Sequence, residues 1–166
     1  MLNRCSALWS ILVLLVACAP NPVPVIGAAT DVAALTGEWV GTYTSGESGR
    51  EGNIVFKLEA GADTAHGDVM MIPLDPDEPY RPVIDEFNPA MARELRGYLL
   101  RISWVGIENN RIEGTLSPYR DPECGCELET VFTGILRGDE IEGTYQSLHL
   151  GSGVVQTGFW SATRKK

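Results

Sequence analysis

From Leu35 to the C-terminus the chain is written in short runs where apolar and polar residues alternate, and glycines recur beside large aromatics on the apolar side. A period of two puts successive side chains on opposite faces of a strand, and a helical period of 3.6 is nearly absent. The alternation predicts strands at about 37–44, 52–59, 66–73, 97–105, 111–117, 128–136, 141–147 and 154–164, parted by Gly, Asn, Asp and Pro clusters. Glu108-Asn109-Asn110 and Arg137-Gly138-Asp139 have the residues and lengths of tight hairpin turns, which join antiparallel neighbours. A chain of 166 residues is enough for one such domain and short for two.

The faces can be assigned. Trp39, Gly41 and Tyr43 share one parity against Glu38, Val40, Thr42 and Thr44. Ile112, Gly114 and Leu116 oppose Arg111, Glu113 and Thr115, and Ile141, Gly143 and Tyr145 oppose Glu142, Thr144 and Gln146. Phe132, Gly134 and Leu136 share a side, as do Gly158, Trp160 and Ala162. Glycine weakens a strand interior unless the backbone must bend or pack closely, as the wall of a small barrel must. The expected fold is therefore all-β, an eight-stranded antiparallel up-and-down barrel, with an antiparallel sandwich as the alternative. Ile-Glu-Gly-Thr occurs at residues 112–115 and again at 141–144, each time just after a turn, which predicts equivalent places in successive hairpins.

Gly37-Glu38-Trp39 on the first expected strand resembles the Gly-x-Trp signature of the lipocalins and, more loosely, of the avidin-like barrels. The resemblance implies a calycin barrel in which Arg164 packs over that tryptophan. It does not extend to a second lipocalin motif, a C-terminal helix or a biotin-binding set.

The first residues read as an address. Arg4 gives a basic start, and the apolar run to Ala17 is shorter than the roughly 20 residues that span a bilayer. Leu15-Val16-Ala17-Cys18 resembles the bacterial lipobox, which implies cleavage after residue 17 and acylation of Cys18. Several acyl chains, at about 0.8 kcal/mol per buried CH₂, hold a protein to a membrane without spanning it. Ala19 rather than Asp implies, by likeness to enteric lipoproteins, sorting to the outer membrane, facing the periplasm. Residues 19–34, with Pro20, Pro22 and Pro24, read as a flexible tether of up to roughly 50 Å, followed by a barrel domain over 35–166.

Residues 74–96 interrupt the pattern between the third and fourth expected strands. Their prolines predict an irregular loop, and Asn88-Pro89 before Ala90–Arg96 predicts a short helix. The segment reads as a plug or flap over one barrel end, or as a lid that admits a ligand or partner.

The formal net charge of −9 excludes a nucleic-acid partner. Cys124-Gly125-Cys126 is the thiol pair left after processing and reads as a small disulfide in an oxidising envelope. Asp121, Glu123, Glu127 and Glu129 crowd it with negative charge, which argues against a reactive thiolate. Neither these cysteines nor His66 and His149 complete a metal set by spacing, so no metal and no cofactor is expected. His66 and Asp68 share an outward face, while Met70 and Met71 part to opposite faces. No nucleophile elbow, zinc-helix motif or phosphate loop appears, and no enzyme is expected.

The residues thus point to a lipid-anchored envelope barrel that binds a small apolar or amphipathic ligand, with Trp39, Tyr43, Phe132, Tyr145 and Trp160 lining the interior. The alternatives are a solid barrel that docks an envelope protein through an exterior patch of Val131, Ile135, Val155 and Phe159, or a structural envelope component. An interior volume above about 300 Å³ separates ligand binding from a filled core.

Overall fold

The computed structural model describes residues 22–47, 49–71, 98–121 and 124–166. The signal and Cys18, the whole 74–96 excursion with its expected loop and plug or lid, and Glu123 lie outside the described residues. In chain order the elements are β1 (Pro22–Gly27), α1 (Ala29–Ala34), β2 (Gly37–Ser45), β3 (Glu51–Leu58), β4 (Thr64–Met71), β5 (Tyr98–Glu108), β6 (Arg111–Leu116), β7 (Tyr119–Arg120), β8 (Glu127–Arg137), β9 (Glu140–His149) and β10 (Val155–Arg164).

The alternation becomes an inner and an outer face. Along β8, Leu128, Thr130, Gly134 and Leu136 are buried while Glu127, Glu129, Val131, Ile135 and Arg137 are exposed. The β5–β6 hairpin turns on Asn109 and Asn110, both at positive φ (50° and 66°), the backbone that a tight two-residue hairpin demands and asparagine tolerates. Gly138, at φ 64°, serves the β8–β9 turn.

The barrel closes, but not as eight antiparallel strands. Round the wall the order is β2, β3, β4, β1, β5, β6, β8, β9, β10 and back to β2, giving nine strands among the described residues, with β7 as an extra two-residue strand on β8. The ninth is the segment expected as tether. β4 and β5 pair directly from Asp68↔Arg101 to Met71↔Tyr98 and then diverge. β1 fills the fork: Pro22–Pro24 pair antiparallel with Thr64–His66, and Val25–Gly27 pair parallel with Val105–Ile107. Each half of β1 is thus zipped to one neighbour, an arrangement proline tolerates because it cannot donate to a ladder. Val23 and Val25 point inward and are buried, while Pro22 and Pro24 face out. This parallel contact makes the sheet mixed, and it corrects both the eight-stranded antiparallel expectation and the lipocalin resemblance.

The described residues contain a helix after β1, where none was expected, while the helix expected between the third and fourth strands falls outside them. Together with Leu35, α1 closes one barrel end. Leu35 is buried there, and its carbonyl accepts the Trp39 Nε1–H bond at 2.9 Å. Arg164 holds the turn down, donating to the carbonyls of Thr36 and Ala34, the latter at 2.8 Å. Its guanidinium carbon lies 4.2 Å from the centroid of Trp39. The arginine-over-tryptophan contact is therefore present, within a barrel of different strand number and direction.

Candidate functional site

The base of the barrel is packed with Leu35, Trp39, Ile112, Ile141 and Ala162, and above them an interior cavity of about 110 Å³ opens toward the other end. Five residues expected to line the interior, Trp39, Tyr43, Phe132, Tyr145 and Trp160, all stand on its wall. Their placement follows from a rule visible along the strands: four of these rings lie over a cross-strand glycine. Tyr43 is paired with Gly52, Tyr145 with Gly158, Phe132 with Gly114 and Trp160 with Gly143. A Cβ on any of those glycines would come within 2.3–2.5 Å of a ring atom. Because the glycine has no side chain, the ring can lie along the wall instead of projecting to the barrel axis, and the axis stays open.

The repeated Ile-Glu-Gly-Thr places Gly114 and Gly143 in equivalent positions near the starts of β6 and β9, one under Phe132 and one under Trp160. Phe132 and Trp160 meet edge to face at 5.7 Å, and Trp160 Nε1 donates to the Thr133 carbonyl at 3.0 Å. Tyr43 and Tyr145 meet the same way at 5.8 Å. Such pairs favour edge contacts because each ring has a negative face and a positive rim.

The lining grows polar toward the mouth. Tyr145 is hydrogen-bonded to the Ser45 side chain. The Tyr119 hydroxyl lies 3.2 Å from Thr130 Oγ1, which lies 2.7 Å from Ser147 Oγ. Arg50 and Asp121, 5% and 3% exposed, form an ion pair at 2.7 Å that ties the β2–β3 connection to the segment preceding β8. The Tyr43 hydroxyl is the exception, since it is buried without a hydrogen-bond partner among the described residues. Burial first, then neighbouring Tyr119 and Tyr145, raises the Tyr43 hydroxyl far above an ordinary phenol, and burial raises Tyr145 as well. Both hydroxyls remain neutral donors.

Cys124 and Cys126 are joined as a disulfide at the same rim. Sequence reasoning missed their neighbour. Cys126 Sγ lies 3.1 Å from His149 Nδ1, because the β8–β9 hairpin pairs Leu128 with His149. Counting outward from the Gly138 turn was the available signal. With the disulfide opened, Cys124, Cys126 and His149 would present three ligand atoms within 4.8 Å of one another. His66 is half-buried and Met70 exposed on β4, and neither joins this group.

The exterior patch does not assemble. Val131, Ile135, Val155 and Phe159 are exposed, but Thr133 separates the first two and Thr157 the second two, and Phe159 is flanked across the sheet by Thr44 and Thr144. No helix among the described residues is long and apolar enough to cross a membrane. No protein-family model matches the chain, and no curated protein matches it in sequence.

Proposed function

We propose that the protein is an envelope lipoprotein whose closed barrel binds a compact apolar molecule, or the apolar end of an amphiphile, through one hydrogen bond. The observation that carries this reading is Tyr43, a neutral donor with no partner among the described residues at the wall of a mainly apolar cavity. A buried unpaired hydroxyl costs about 1–3 kcal/mol, which a ligand acceptor would recover. The volume sets the ligand's size. A cavity of about 110 Å³ falls short of the ~300 Å³ set above as the mark of ligand binding, which excludes a drug-sized ligand, and it stands near the ~150 Å³ that admits a benzene ring. Only a few heavy atoms enter, and a longer molecule leaves its remainder at the polar mouth.

The lipobox-like segment ending in Cys18 supports attachment to a membrane. Only residues 19–21 separate Cys18 from β1, so the barrel wall lies within roughly 14 Å of the acylated residue at full extension. The domain rests close to the bilayer rather than standing off on a long tether.

The test uses the detergent-purified full protein. Short ketones and alcohols are titrated while tryptophan fluorescence is followed. Saturable quenching by ketones is expected, with Tyr43→Phe weakening their binding about fivefold, equivalent to ~1 kcal/mol. A flat response across the series, with none of these molecules retained in native mass spectrometry, rejects the ligand. Palmitate labelling tests attachment separately, and label that persists in Cys18→Ser rejects it.

A further inference from the structure

We propose that Cys124–Gly125–Cys126, with His149, is a thiol–disulfide exchange site that oxidises dithiols at the barrel mouth. The two sulfurs are unequal: Cys124 is exposed, whereas Cys126 is half-buried against His149, 3.1 Å from Nδ1. His149 Nε2 is buried without a partner among the described residues. An orphaned buried N–H is rarer than an orphaned acceptor, so this pattern assigns the ring proton to Nδ1, directed at the Cys126 sulfur.

The described carboxylates among those that argued against a reactive thiolate are arranged differently from their order in the sequence. Asp121 points its carboxylate into Arg50, and Glu127 and Glu129 stand on the outer face of β8. Backbone bonds from Gly125 N to the Asp121 carbonyl (2.8 Å) and from Asp121 N to the Cys126 carbonyl (2.9 Å) clamp the cysteine turn. The turn is therefore held by the same aspartate that the arginine fixes, and among the described residues the imidazole is the group that faces the Cys126 sulfur.

The chemistry follows from this asymmetry. A thiolate of the incoming dithiol attacks the exposed Cys124 Sγ and forms a mixed disulfide. The Cys124–Cys126 bond breaks, and its electron pair leaves on Cys126, where the Nδ1–H bond stabilises the thiolate until it takes up a proton from solvent. The second thiolate of the dithiol attacks its own sulfur in the mixed disulfide, and Cys124 departs as a thiolate that takes up a proton from solvent. The dithiol loses two electrons and two protons and becomes a disulfide, while the protein pair becomes a dithiol. A loop of two-residue separation adds little chain-entropy stabilisation to the oxidised form, so the pair is suited to giving up its disulfide. His149 makes Cys126 the better leaving group, since a hydrogen-bond donor 3.1 Å from the sulfur stabilises the charge that develops on it.

Full-length oxidised protein is treated with dithiothreitol and, separately, with reduced glutathione, then quenched by alkylation and mapped by mass spectrometry. The native disulfide is expected to open at least tenfold faster than in the same protein unfolded in urea, with the glutathione adduct on Cys124. His149→Gln is expected to slow opening about tenfold while near-ultraviolet circular dichroism keeps its native signature. A native rate no faster than the unfolded one, or an adduct on Cys126, overturns the proposal without needing any variant. An unchanged rate in a folded His149→Gln protein overturns the role of the imidazole. None of these outcomes depends on whether the cavity holds a ligand.

Discussion

Arg164 shows how much one side chain contributes to the closed end. It stacks on Trp39, donates to the Ala34 and Thr36 carbonyls and pairs with Asp139 at 2.9 Å. The Asp139 contact is solvent-exposed on the aspartate side and contributes little, whereas the carbonyls at the end of α1 have the arginine as their donor. Arg164→Ala should destabilise the protein by about 2–3 kcal/mol in urea unfolding, from lost charged hydrogen bonds and the cation–π contact. Wild-type stability in that variant would show that α1 closes the barrel without it. The Arg164 contact on Trp39 was anticipated by the lipocalin resemblance, while parity placed Arg164 only on the inward side with Trp160. The pairing of His149 with Cys126 was not, because 23 residues and a hairpin separate them.

At the scale of strands, the pairing of aromatic with glycine decides whether the interior is open. At Gly143 an added Cβ would meet the Thr133 carbonyl oxygen at 2.1 Å and Trp160 Nε1 at 2.4 Å, so the ring must swing off the wall toward the axis. Gly143→Ala should cost about 1–3 kcal/mol in chemical denaturation, as overpacking does, and should remove the ketone-dependent fluorescence change. An unaltered titration would show that Trp160 does not shape the cavity. The mouth offers a second element-level test. Glu47 accepts bonds from the Thr157 amide and hydroxyl, both at 2.9 Å, and these hold its carboxyl below the ordinary carboxylate range. A depressed folded pKa means that the contact is fully present above the unfolded value and is lost as pH falls through the folded one. The Thr157 amide nitrogen and proton shifts should therefore titrate below the ordinary carboxylate pH, with the β2–β3 connection loosening from β10 there. An inflection at or above the ordinary value would contradict the contact.

For the whole molecule, the strand count depends on β1. Without it, β4 and β5 remain splayed from residue 67 toward 63 on one side and from 102 toward 108 on the other, and the inward-facing Val23 and Val25 leave a slot in the wall. Deletion of residues 19–27 should abolish the single cooperative unfolding transition and raise the binding of an apolar dye, measured by calorimetry and dye fluorescence. Retention of a sharp transition near the wild-type temperature would mean that the fork closes by itself. The same insertion brings the proposed acylation site close to the barrel wall, so attachment and fold become one question.

Alternation and turn chemistry are local, and for that reason the order of residues was enough to locate β2 to β6 and β8 to β10, their inward faces and the rings on the cavity wall. The prolines of β1 disguised the same alternation: Pro-Val-Pro-Val reads as an extended tether until a fork between two other strands offers its backbone partners. Nine strands instead of eight, the parallel contact, the small cavity and the imidazole on the cysteine pair were decided only by the tertiary structure. Each depends on which strand edges meet when the sheet closes, and closure is set jointly by residues far apart in the chain.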